Sequence, residues 1–240
     1  MKKIIIVLIA LVTVSFSLSA QSKKDWSKVT IDPAGDHLMV QFSYDHWAAA
    51  PDSIRNHFKG LSRGFNMYLM MNKPFKSDPR LSVAYGIGVG TSSIFFKTVA
   101  IDVKSLSTTL PFGSLDSTNH FKKIKLATAF LEIPLELRYT FNPENEKKSW
   151  KVALGAKVGT MLSAHTKTKI LVDKSGNALN SYIEKESKRT FFNSTKVAGT
   201  ARIGYGNFSV FGAFQMTTLL KNGAGPALYP YQIGICLSGL

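Results

Sequence analysis

The chain has one cysteine in 240 residues, so Cys236 can form no internal disulfide, and no cysteine cluster for zinc or an iron–sulfur centre can be built. Acidic residues are few: 15 Asp and Glu stand against 30 Lys and Arg, a formal charge of +15. After residue 20 there is no run of 18 apolar residues, which excludes a bundle of transmembrane helices. The five histidines, His37, His46, His57, His120 and His165, are scattered without any metal-ligand spacing, so neither a metal nor another cofactor is expected. Gly86-x-Gly88-x-Gly90 is spaced by two throughout and is followed by Thr91. It therefore reads as one face of a strand, not as a phosphate-binding turn before a helix. What is present, 45% apolar residues and a mean hydropathy of +0.02, excludes a disordered or low-complexity chain.

Lys2 and Lys3 precede an uncharged run from Ile4 to Phe16, followed by the small residues Ser17, Ser19 and Ala20. These are the three regions of a secretory signal peptide, expected over residues 1–20 with cleavage near Ala20. The apolar run is shorter than the about 20 residues that a membrane anchor needs. Losing two lysines leaves an exported charge of +13. Residues 21–36, polar and carrying Pro33 and Gly35, read as a short periplasmic leader, and residues 37–240 as one barrel domain.

Period-two alternation dominates that domain, and it predicts strands over 37–47, 64–75, 81–90, 127–141, 150–161, 195–205, 208–220 and 231–240. The clearest places Leu81, Val83, Tyr85, Ile87 and Val89 against Ser82, Ala84 and the three glycines. Another opposes Ile133, Leu135, Leu137 and Tyr139 to Glu132, Pro134, Glu136 and Arg138. Pro134 should leave a bulge or a break in the pairing. Connections at 76–80, 142–149 and 206–207 are short, whereas 48–63, 91–126, 162–194 and 221–230 are mostly much longer. Short turns at one end and long loops at the other predict an all-β fold: an eight-stranded antiparallel up-and-down transmembrane β-barrel with short periplasmic turns and long extracellular loops.

Alternation alone does not say which face meets lipid. Aromatic residues gather beside the short turns (Phe75, Tyr139, Phe141, Trp150, Tyr205 and Phe208), as a girdle at a membrane interface would. The apolar face is nearly free of charge, with Lys73 and His46 only near strand ends. The opposite face mixes Asp45, Glu132, Glu136, Arg138, Lys151, Lys157, Lys196 and Arg202 with small residues such as Gly155 and Gly159. Those eight charged residues are expected to form an interior network filling a narrow barrel, which leaves no wide channel.

The segment from Phe130 to Tyr139, Phe-Leu-Glu-Ile-Pro-Leu-Glu-Leu-Arg-Tyr, resembles the LEIPLxLRY strand of the small outer-membrane β-barrel domain family that includes the PorT proteins of type IX secretion. The glycine-rich strand ending Gly86-Ile87-Gly88-Val89-Gly90 and the later segment Gly155-Ala156-Lys157-Val158-Gly159 sit where members of that family carry similar strands, and the resemblance covers about residues 37–240. It implies an outer-membrane barrel with a periplasmic N-terminus, a structural or interaction role in the envelope, and a place in a PorT-like secretion assembly. No enzymatic activity is expected. Asp52-Ser53-Ile54 and Asp116-Ser117-Thr118 resemble the short O-glycosylation acceptor of bacteria carrying this family, a pattern that chance produces often.

Two alternatives remain open at this stage. An outer-leaflet lipid-modifying enzyme would use Asp45 and His46, yet adjacent strand residues point to opposite faces. A soluble lipocalin-like periplasmic barrel would turn its apolar faces inward. The partners expected are outer-membrane lipid, lipopolysaccharide attracted to loops 91–126 and 162–194 at net +3 each, and envelope or secretion proteins. Nucleic acid is not among them, because the basic residues are dispersed and accompany no binding motif.

Overall fold

Side chains that alternate between two surroundings need a pleated strand, and strands with no free edge need a closed ring. The computed structural model describes residues 38–114, 119–173 and 178–239; the expected signal peptide and leader and the Asp116-Ser117-Thr118 motif lie outside them. Its strands are β1 (Leu38–Ala48), β2 (Arg63–Pro74), β3 (Leu81–Phe96), β4 (Val99–Ile101), β5 (Phe112–Ser114), β6 (Asn119–Thr140), β7 (Trp150–Asp173), β8 (Ala178–Ser187), β9 (Thr195–Tyr205), β10 (Phe208–Gln215) and β11 (Tyr229–Ser238). Eight of them form an antiparallel barrel in the order β6-β3-β2-β1-β11-β10-β9-β7, closed by pairing of β7 with β6. The first and last strands meet directly, Met39 opposite Ser238 through Ala48 opposite Tyr229. β4 and β5 form a separate hairpin, and β8 adds to the far end of β7.

The short turns close as their sequences direct. Gly206 takes φ +59° in the two-residue turn between β9 and β10, where a Cβ would stand 2.5 Å from the Lys147 carbonyl oxygen. Pro143–Lys148 forms a 3-10 turn that begins at Asn142, whose side chain accepts from the Glu144 amide. Pro134 produces a break and no bulge. The β3–β6 ladder stops at Tyr85 opposite Leu135 and resumes in the same register at Gly88 opposite Glu132. The missing N–H of Pro134 thus costs pairing on the β3 side only, and Pro134 stays opposite Lys157 on β7.

Three sequence expectations need correction. β3, β6 and β7 continue well beyond positions 90, 127 and 161, with 22 residues in β6 and 24 in β7, about twice what a tilted membrane-spanning strand requires. The supposed loops 91–126 and 162–194 therefore contain long strand extensions, the β4–β5 hairpin and β8. The strand expected over 208–220 ends at Gln215, because Leu219 and Leu220 both turn inward to a buried apolar cluster and abandon alternation.

The extensions explain themselves through burial. Nearest the short turns, the outward face is apolar and exposed: Phe42, Met67, Leu69, Ile87, Leu131, Ile133, Leu135, Leu137, Leu154, Val158 and Ile203. The inward face there carries the buried polar groups. Toward the long loops the inward face becomes Ile94, Phe96, Ile124, Leu126, Phe130 and Met161, which join Trp47, Ile54, Val103, Phe192, Leu220 and Leu228 in one apolar core. The change falls at the single register shift between β6 and β7, at Ala129/Phe130, where Leu162 is the extra residue.

Candidate functional site

Three carboxylates and four cations of the expected network are buried inside the barrel: Asp45, Glu132, Glu136, Arg138, Lys157, Lys196 and Arg202. They form separate clusters. Glu132, at 0% exposure, accepts from Lys196 Nζ at 2.7 Å and from the Tyr68 hydroxyl at 2.6 Å. Lys157 Nζ donates to the Tyr68 hydroxyl at 3.1 Å and lies 3.6 Å from Glu132 Oε2. Each ammonium also faces an aromatic ring, Lys157 that of Tyr68 at 5.3 Å and Lys196 that of Phe130 at 5.1 Å.

Nearer the short turns, Glu136 Oε2 accepts from Arg138 Nε and Arg202 Nη2, each at 2.9 Å. Arg202 reaches on to the hydroxyls of Ser238 and Ser209 at 3.2 and 3.4 Å. Asp45 stands apart from both clusters. It accepts from Ser43 and, at 3.0 Å, from Gln232 Nε2, within a set of neutral amides that includes Asn66 and Gln41. Lys151 departs from expectation. It sits at the rim and binds Glu146 at 2.9 Å, because the 3-10 turn folds that carboxylate over the end of β7.

The glycine stripes make room for these groups. A Cβ on Gly90 would stand 2.5 Å from Glu132 Oε1, one on Gly64 2.6 Å from the Asp45 carboxylate oxygens, and one on Gly155 3.1 Å from Glu136 Cγ. Buried carboxylates tolerate no such crowding while holding two donors each. Alternation did not reveal that part of the remaining interior is apolar, with Met39, Tyr68, Met70, Ala84, Phe211, Ala213 and Cys236 packed as a second cluster. Phe211, out of phase in the sequence, was the one signal of it. Between the charged layer and the apolar core the cavity offers about 20 Å³ to the centre of a water molecule, room for about one water.

Asp45 and His46 form no dyad. Asp45 is buried inside, while the His46 ring lies 4.4 Å from that of Phe58 and 5.7 Å from that of Tyr231, with Nδ1 2.9 Å from the Trp47 amide. His57 bonds Thr98 at 2.9 Å, and the described residues hold no grouping of His, Cys, Asp and Glu suited to a metal. In Asp52-Ser53-Ile54, Asp52 pairs with Arg55 and Ile54 is buried in the apolar core. The aromatic girdle is present, Tyr139 on Phe141 at 5.1 Å and Trp150 on Tyr205 at 5.8 Å.

A family model described as outer membrane protein beta-barrel domain matches residues 19–219. No curated protein matches the chain. Among solved structures it is similar to Ail, the attachment invasion locus protein of Yersinia pestis, in complex with the heparin analogue sucrose octasulfate: 14% identity, 84% of this chain, 95% of that one, TM-score 0.33. A second Ail structure gives 12% identity with the same coverage and TM-score.

Proposed function

The chain belongs to the outer membrane protein β-barrel domain family, and from that premise we propose that it is a non-conducting barrel whose long-loop domain docks partners at the cell surface. The observation that carries this reading is the filled interior. Tyr68, Glu132, Lys157 and Lys196 occupy the barrel, and the apolar core closes over them. A built transport path would keep its charges hydrated. These charges are paired and out of water.

The working surface is then the domain beyond the bulge, which adds β4, β5 and β8 and exposes side chains such as Leu106, 96% accessible. A photoreactive residue at Leu106 should give protein adducts in intact cells, and one at the lipid-facing Leu135 should give none. Absence of adducts at every loop position, together with steady conductance in a planar bilayer, would contradict the reading. A place in a PorT-like secretion assembly is its narrower form, supported by the LEIPLxLRY resemblance, and it requires the adducts to include secretion components.

A further inference from the structure

On the outward face above the bulge, lysines stand directly opposite one another. Lys125 of β6 faces Lys167 of β7, which faces Lys185 of β8, and Lys169 lies one pleat further along β7 on the same face. His165, one pleat below, shares that face. Like charges in directly opposed cross-strand positions destabilise a sheet. The acids of β8, Glu184 and Glu186, alternate onto the other face, where Glu186 comes within 3.9 Å of Lys104. Among the described residues, none of the four lysines has an ion-pair partner; Lys125 reaches only the Ser93 hydroxyl, at 3.5 Å. Burial first, then Lys167, Lys169 and Lys185, push the Lys125 ammonium down from its usual pKa. An external anion bound across the ladder would relieve that repulsion.

Its place indicates which anion. Lys125 lies four residues beyond Ala129, roughly 13 Å of strand, or roughly 9 Å of height at a tilt of about 45°. That is the headgroup layer, just outside the aliphatic band. Beside Lys125, a groove of about 760 Å³ runs down the outer wall, with Lys59 and Arg63 at its basic edge and exposed Phe42, Leu61 and Phe65 along its apolar floor. A soluble polyanion would make no use of a greasy floor continuous with the lipid-facing surface.

We propose that the ladder of Lys125, Lys167 and Lys185, together with the adjoining groove, binds a lipid of the outer leaflet through phosphate on its headgroup, one acyl chain lying along Phe42 and Phe65. The proposal rests on the outer-membrane reading and names a partner for its surface. The full-length barrel would be exposed to mixed detergent micelles holding bis-phosphorylated lipid A and its phosphate-free counterpart, and the lipid it retains identified by native mass spectrometry. The expected result is at least about tenfold preference for the phosphorylated lipid, lost in the Lys125→Gln, Lys167→Gln, Lys185→Gln triple variant and kept in the corresponding Arg triple. Because the Gln triple removes repulsion, its boiling-dependent gel shift should persist to the same or a higher temperature. Equal retention of both lipids, or a preference that survives the Gln triple, would overturn the proposal. So would lysine-dependent binding of a soluble sulfated polysaccharide without any lipid preference. A wild-type protein with no boiling-dependent shift would instead sink the barrel reading itself.

Discussion

Along β6 the inward face passes from Glu136 and Glu132 through Thr128 to Leu126 and Ile124, while the outward face passes from Leu137, Leu135, Ile133 and Leu131 through Ala129 to Lys125. The lower region is a barrel inverted for hydrocarbon, and the upper one is folded as in water, around an apolar core. β3 and β7 make the same exchange, from Gly90 to Ile94 and from Lys157 to Met161 on their inward faces. Register and pleat run on through the change between β3 and β6, while β7 gains one residue at Leu162 and its inward positions shift by one. What inverts is the solvent, so the exchange of chemistries marks the membrane boundary on the protein itself.

That comparison can be broken most severely at Glu132. In Glu132→Ala the ammonium groups of Lys157 and Lys196 lose their carboxylate inside the lower region, at a cost of about 3–5 kcal/mol. It should appear as a lower urea midpoint for folding into detergent. The exposed pair in the upper region, Lys104 with Glu186, should yield less than about 1 kcal/mol when Lys104 becomes Ala. Similar losses in both would remove the distinction.

The outward face gives the next largest contrast. Leu135→Arg places a charge in the hydrocarbon band and should destabilise the barrel in lipid by about 2–4 kcal/mol. Leu106→Arg, at a fully exposed position of the upper region, should leave the midpoint nearly unchanged, and an equal loss there would put lipid against both regions.

The smallest effect belongs to the short-turn end. The Arg80 side chain, bonded to Asp78 at 2.7–3.2 Å, holds the Asp78 carboxyl below its ordinary pKa of 3.8. With the folded pKa depressed, its stabilisation is present above pH 3.8 and is lost as pH falls through the folded value. The pair is partly exposed, so the loss should stay under about 1 kcal/mol. Acid titration of folding, wild type against Asp78→Asn, reads it as the disappearance of a small difference below that window.

The lower region was legible in the sequence because outward Leu, Ile and Val alternate with inward Gly, Glu and Lys over whole strands. The upper region was not. Past Thr128 the alternation continues with its meaning reversed, so a reading anchored on outward apolar residues stops at 127 and 161 and takes the extensions for loops. The ladder was hidden for a related reason: Lys125, Lys167 and Lys185 are far apart in sequence, and only the register brings them side by side. Within the interior, the charged residues were legible as a set, but their division was not. Glu132 and Glu136 lie on one face, two pleats apart, and which cation reaches which depends on side-chain length and on the glycines opposite. Lys151 was lost to Glu146 because the path of a 3-10 turn leaves no periodic trace.

The most direct test of the inversion is a depth profile along β6. Spin labels would be placed singly at 125, 129, 131, 133, 135 and 137 in a Cys236→Ser background, in vesicles of outer-membrane lipid. Collision with oxygen should dominate from 131 to 137, collision with a water-soluble nickel complex should dominate at 125, and the two should cross near 129. Nickel access along the whole strand, or hydrocarbon depth at 125, would contradict the account.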